Sequence, residues 1–195
     1  MTRTGIFGGS FNPIHNGHIA LAKSIMKLDR LDEVWFMVSP HNPLKDSNSL
    51  LPDSDRLNMV KLALSNEPGL IASDYEFHLP KPSYTLHTLR AVSRDYPDRK
   101  LVLLIGADNW ECFGRWYGHD EILAEYEIAI YPRKGSLVDP ASLSPSVRLL
   151  DTGLFDISST QVRTLLKEGK SADSLIPPQV ANYIRENRLF KTQQT

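Results

Sequence analysis

The chain has almost no cysteine, almost no net charge and no long apolar run. Cys112 is the single cysteine in 195 residues, so no disulfide can form within the chain, which fits a reducing, cytoplasmic setting. Twenty-two basic and 23 acidic side chains leave a formal charge of −1, so nothing marks out nucleic acid or an anionic membrane as a partner. Net charge is silent about distribution, and a local cationic pocket is compatible with it. The apolar runs fall short of the roughly 18 residues needed to span a bilayer. Strand-like sequence starts at Thr4-Gly5-Ile6-Phe7, so no secretory or transit peptide is expected. Internal repeats and low-complexity tracts are also missing.

What is there is ordinary globular composition, 41% hydrophobic and 23% charged, enough for one domain over 1–195. Short apolar runs at Ile6-Phe7, Val34–Val38, Leu70–Ala72, Leu101–Ile105 and Ile128–Tyr131 read as strands. Most lack polar alternation, as strands covered on both faces do. Amphipathic segments near 17–28, 54–65, 84–96 and 119–125 read as helices between them. The alternation predicts an α/β fold with a doubly wound, Rossmann-like parallel sheet. Residues 133–146 read as a loop and Val147–Leu150 as one more strand. A C-terminal helical portion follows over about 158–190, with one helix opened by Ser158-Ser159-Thr160 and another by Pro177-Pro178.

Ligands of such sheets sit at the C-terminal ends of strands. There, the first strand runs into Gly8-Gly9-Ser10, turns at Asn12-Pro13 and enters a helix at Gly17-His18. Glycines let backbone N–H groups approach a phosphate, and a helix start adds partial positive charge. His15 and His18, three apart, can face the same polyphosphate. The stretch is neither a Walker loop nor a Gly-x-Gly-x-x-Gly fingerprint. A tight turn whose histidines only cap or pack is the plainer alternative, and no third ligand beside them suggests a metal.

A second helix start lies at Ile157-Ser158-Ser159-Thr160-Gln161-Val162-Arg163. Ser158 or Ser159 suits the N-cap. Arg163, one turn on, can return its fork to an anion held there. An ordinary capped helix with a surface arginine is the alternative.

Together these residues resemble the nucleotidyltransferases of the class I synthetase-like superfamily and, within it, the nicotinate-nucleotide adenylyltransferase family. The likeness spans nearly the whole chain: Gly8 to His18, Pro82-Ser83-Tyr84-Thr85, Ile105-Gly106-Ala107-Asp108, Trp116-Tyr117, Pro132-Arg133-x-Gly135 and Ile157 to Arg163. The family's Pro-Pro-His-Lys is here Asn42-Pro43-Leu44-Lys45, and its Asp two residues after Pro-Ser-Tyr-Thr is His87. The resemblance implies adenylyl transfer from ATP to nicotinate mononucleotide, with Mg²⁺ held mainly by nucleotide phosphates and no protein ligand. It implies catalytic roles for His15, His18, Lys45 and Arg163 as positive or donating groups. ATP would meet Gly8, Gly9, Ser10, Phe11, Gly17, Gly106, Asp108, Ile157, Ser159 and Thr160, with an N-cap as the alternative role for Asp108. The acceptor would meet Ser83 (a possible cap), Tyr84, Thr85, Trp116, Tyr117 and Arg133. Trp110, Trp116 and Tyr117 have core packing as their plainer reading. Arg56 and Met59 are expected to be structural, and His41, His78, His87 and His119 to lie on surfaces or loops. Another acceptor, such as nicotinamide mononucleotide or phosphopantetheine, and a non-catalytic ATP sensor remain as alternatives. A homo-oligomer is possible.

Overall fold

The computed structural model describes residues 1–40 and 50–190. Lys45, with His41 and the rest of the 42–45 motif, lies outside the described residues.

Six strands form one parallel sheet: β1 (Thr2–Gly9), β2 (Glu33–Val38), β3 (Leu70–Ser73), β4 (Arg99–Gly106), β5 (Glu127–Tyr131) and β6 (Val147–Leu149). Their order is β3-β2-β1-β4-β5-β6. The chain therefore winds outward from β1 in one direction, then returns to β4 and winds the other way. The crevice between β1 and β4 is the switch point at which such sheets bind ligands. Strands β2 and β4 read as continuous apolar runs because they are central, and Val34, Phe36, Met37, Val38 and Val102 are wholly buried.

Side chains alternate between the two faces of the sheet, so neighbours in sequence enter different cores. Phe7 joins a core with residues of α1 (Asn16–Leu28), α2 (Asp53–Leu64), α6 (Ser159–Lys167) and α7 (Pro178–Glu186). Ile6 joins the opposite core, with residues of α3 (Thr85–Asp95), α4 (Ala107–Glu111) and α5 (His119–Glu125). The expected doubly wound fold is present, with the C-terminal helices packed onto the sheet as part of the first core. No helix among the described residues is long and apolar enough to cross a membrane.

Three details differ from the sequence reading. Helix α4 and the short 3-10 turns at Tyr75–His78, Phe113–Arg115 and Pro140–Ser142 were not expected. Their three to five residues are too few to show a helical period. Gly106, not Asp108, is the N-cap of α4, and Asp108 sits in its first turn, where a carboxylate favours the helix dipole. Tyr84, not Ser83, is the N-cap of α3, and no side chain caps that helix.

Candidate active site

Helix α1 starts from an unusual cap. His15 is its N-cap, with Nδ1 accepting from the His18 backbone N–H at 3.3 Å, while His18 Nδ1 accepts from the His15 N–H at 3.2 Å. The two imidazoles stack 3.6 Å apart at 22°. Burial, then the nearby Arg133 charge, lowers the His15 pKa to about 4. Burial, then His15 and Arg133, holds His18 well below the usual histidine value. Both rings are therefore neutral near pH 7. With each Nδ1 accepting, each Nε2 carries the proton, so the pair presents two neutral donors. The expectation of positive or donating histidines resolves to donating ones, because a stacked, desolvated pair cannot both charge cheaply.

The cap also uses up amides that an anion would otherwise meet. The Asn16 N–H bonds to Leu175 O at 2.8 Å and the His18 N–H to His15, which leaves Gly17 with the unpartnered amide of that turn among the described residues. Gly17 is tightly packed there: a Cβ would come within 3.1 Å of His15 Nδ1 and 3.3 Å of Ile157 Cβ, so those neighbours would have to give by a few tenths of an ångström. A Cβ on Gly9 would press on the Phe11 ring at 3.0 Å, whereas the space beside Gly8 is open.

The loop between β1 and α1 is held from several sides. Phe11 has φ of 45°, a left-handed conformation that costs a non-glycine residue about 1–2 kcal/mol. Its ring is buried edge-on to Phe7 and His18, so any contact of Phe11 with a nucleotide is through its backbone. Arg56, fully buried, donates to Ser10 O at 2.6 Å, Ser39 O at 2.8 Å and Leu51 O at 3.1 Å, and pairs with Asp53. One guanidinium thus ties the loop after β1, the end of β2 and the start of α2 together. Arg56 and the fully buried Met59 are structural, as expected.

From the other direction comes α6. Ser158 is its N-cap, accepting from the Gln161 N–H at 3.1 Å. Ser159 Oγ donates to Pro13 O at 2.9 Å, and Arg163 donates to Asn12 O at 2.9 Å and Thr160 Oγ1 at 3.1 Å. The start of α6 is thereby fastened to the histidine-bearing loop, bringing His15, His18, Ser159, Thr160 and Arg163 together. A cleft of about 660 Å³ opens beside them, lined by Asp108, Arg133, Lys134, Phe155, Ile157 and Gln161 among others. Lys134, Phe155 and Gln161 were not singled out from sequence. Lys134 and Phe155 lie on irregular segments where no periodicity marks them, and Gln161 reads as one more helical polar residue.

Arg133, read from sequence as an acceptor contact, lines this cleft. Its guanidinium lies 5.2 Å over the Tyr131 ring, and its Nε is 3.7 Å from Asp108 Oδ1. That Nε is buried without a hydrogen-bond partner, an arrangement that a bound anion would complete. The remaining acceptor candidates gather at the start of α3. Tyr84 and Tyr117 stack at 4.7 Å, and Trp116 leans on the buried Phe113 at 5.4 Å. Trp110 stacks on Phe113, its core reading. His78 and His87 are exposed and His119 partly so.

No group of three or more His, Cys, Asp or Glu able to hold a metal occurs among the described residues. The Nδ1 atoms of the two histidines are already engaged by backbone N–H groups.

An anion-ready junction at the switch point of a 3-2-1-4-5-6 parallel sheet defines an α/β nucleotide-binding protein. Residues 6–165 match the cytidylyltransferase-like family. A probable nicotinate-nucleotide adenylyltransferase of Bacteroides fragilis is 50% identical over 92% of this chain and 89% of its own. One from Bacillus licheniformis is 36% identical over 98% of this chain and 100% of its own. The chain belongs to the nicotinate-nucleotide adenylyltransferase family. The same fold occurs in a Plasmodium falciparum nicotinic acid mononucleotide adenylyltransferase solved with NaAD, at TM-score 0.82 and 22% identity, covering 97% of this chain and 98% of that one.

Proposed function

We propose that the junction of β1, α1 and α6 carries adenylyl transfer from ATP to nicotinate mononucleotide, giving deamido-NAD and pyrophosphate. The observation that carries this reading is the fastening of α6 onto the histidine loop through Arg163 and Ser159. It aims two imidazole donors, the α6 amides and an arginine fork at one place. Family membership supports the acceptor.

In this reaction the acceptor 5′-phosphate oxygen attacks the α-phosphorus of ATP. A new P–O bond forms, the bond to the bridging oxygen of the β-phosphate breaks, and pyrophosphate leaves with the electron pair. A phosphate monoester is already ionised near neutral pH, so no protein base or nucleophile is required. The protein's part is positioning and charge stabilisation. Nε2–H of His15 and His18 donates to phosphate oxygens without a positive charge. Arg163 and the Ser159 and Thr160 amides meet the polyphosphate, and Arg133 closes the cleft on an anionic oxygen with its unpartnered Nε. Lys45 is assigned to the same phosphates by resemblance alone. Mg²⁺, when bound, neutralises charge on the phosphate oxygens that hold it, since the described residues supply no ligand set.

On the acceptor side, the amides at the start of α3, around Thr85, receive the nicotinate carboxylate. The pyridinium ring sits against Trp116 and the adjoining tyrosines. The test is pyrophosphate release with ATP, Mg²⁺ and one acceptor at a time. Release is expected with nicotinate mononucleotide. Release only with nicotinamide mononucleotide or phosphopantetheine rejects the acceptor, and ATP binding without release under any condition rejects the enzyme.

A further inference from the structure

At the start of α3, three aromatic rings from two separate segments form a cluster whose tyrosines remain largely open to solvent. Tyr84, the N-cap of α3, is 42% exposed, and Tyr117, in the turn before α5, is 55% exposed. Their rings nonetheless stack at 4.7 Å and 27°. His87 lies one helical turn after Tyr84 and so shares its face of α3. Its ring meets Tyr84 at 5.7 Å and 81°, and Tyr117 at 5.1 Å and 68°. The imidazole thus stands steeply inclined to both phenol rings, within the T-shaped range that aromatic quadrupoles favour.

The backbone beneath is equally close. Gly118, at φ 66°, abuts Leu86 so tightly that a Cβ would fall 2.2 Å from Leu86 Cδ2. The turn after Trp116 therefore lies flush on the first turn of α3, with Leu86 and Gly118 underneath and the three rings above.

We infer that His87 is a positioning residue: its ring holds Tyr84 on Tyr117 and so fixes the spacing between the 82–85 and 116–117 segments that take the acceptor. This rests on the acceptor site proposed above. An aspartate, which the family pattern places at this position, has no ring to offer, so the clasp follows from this chain's own departure. His87 acts through the tyrosines and touches no reacting atom.

The inference is tested by steady-state kinetics of His87→Ala and His87→Phe, alone and in a Tyr117→Leu background. His87→Ala is expected to raise KM for nicotinate mononucleotide about threefold to tenfold, the range that such ring pairs are worth. KM for ATP and kcat should stay within about twofold. Phenylalanine keeps an aromatic ring there and should restore KM. In the Tyr117→Leu background the effect of His87→Ala should vanish, because the ring it positions is gone. An unchanged KM in His87→Ala overturns the inference, as does failure of phenylalanine to restore it or the full effect persisting without Tyr117. Ring-proton NMR shifts of Tyr84 and Tyr117, read without substrate, separate this from the acceptor assignment. They should move in His87→Ala and return in His87→Phe even if wild-type protein fails to use nicotinate mononucleotide, and unmoved shifts overturn the clasp.

Discussion

The two ends of the sheet treat their charges in opposite ways. At the N-terminal ends of the strands, the cations face carboxylates. Arg148 reaches Asp29 at 2.7 Å and Glu127 at 2.7 Å, and Arg3 reaches the same two at 3.1 and 3.2 Å. Lys100 also pairs with Glu127, while Arg99 pairs with Glu33 at 2.9 Å. At the C-terminal ends, Arg163 spends its fork on a carbonyl and a hydroxyl, Arg133 keeps a buried N–H unpartnered, and two imidazoles stay neutral. An arginine whose donors are all met by the chain reads as structural, and one that keeps a donor unmet as available, as Arg133 does although Asp108 lies 3.7 Å from its Nε. Function here resides in charge that the fold leaves incompletely answered.

Arg56 is the exception that tests this reading, and it carries the largest expected effect. It lies at the site end, yet all its donor groups are taken by the chain. By the rule above it is structural. Arg56→Met should cost about 3–5 kcal/mol of stability, as breaking a buried ion pair by removing one partner does. Urea unfolding measures this, and a loss below about 1 kcal/mol would sink the assignment.

Arg163→Ala and His18→Ala should show the opposite pattern. Each removes a donor that the proposed reaction directs at the phosphates, for which turnover typically falls about 10²–10³-fold, or roughly 2.7–4 kcal/mol. Stability should fall by less than for Arg56, about 1–3 kcal/mol, the worth of the two hydrogen bonds that Arg163 donates and the one that His18 accepts. A folded variant that turns over at the wild-type rate removes its residue from the site.

Acid separates the two ends without mutation. His15 has a folded pKa of about 4 against 6.5 for the free side chain. Below pH 6.5 the unfolded chain takes up a proton that the folded one refuses. Stability is therefore lost as pH falls from 6.5 to about 4, by about 3 kcal/mol from this group, and the loss levels off below that. Glu127 behaves in another window. Burial alone would raise its carboxyl, but bonds from Lys100, Arg148 and Arg3 outweigh this and bring it to about 2. Its stabilisation is present above pH 4.5 and is lost as pH falls from there toward 2. His15→Asn should reduce the loss in the upper window, to which His18 also contributes, and leave the lower window unchanged; an unchanged slope between pH 6.5 and 4 would contradict the His15 assignment.

Much of this was legible in the sequence because the signals were local. Continuous apolar runs such as Val34–Val38 mark central strands, and Leu57, Val60 and Leu64 mark a helical face. The two helix starts were visible from Gly8 to His18 and from Ser158 to Arg163. What sequence did not show depends on distant partners. The neutral state of the histidines follows from burial and from Arg133, over a hundred residues away. That Arg133, after the end of β5, lines the cleft beside Asp108 was likewise not visible in the sequence. Lys134 and Phe155 line that cleft from loops without periodicity, and the Tyr84–Tyr117 stack joins segments that no spacing rule connects.

The smallest expected effect comes from the paired end. Arg148 is about one-third exposed, and Glu127 retains Lys100 and Arg3 if it is removed. Solvent screening and these remaining partners limit the cost of Arg148→Met to about 1 kcal/mol, well below that of Arg56. The loss should nevertheless be visible on the acid side, because one of the three bonds lowering the Glu127 pKa is gone. The lower pH window should therefore narrow from its acid end, while the upper one is unchanged. Turnover should stay within about twofold of wild type, since no group at this end faces the cleft. A tenfold fall in turnover with stability intact would mean that the N-terminal end also acts on the reaction, and the division between answered and unanswered charge would not hold.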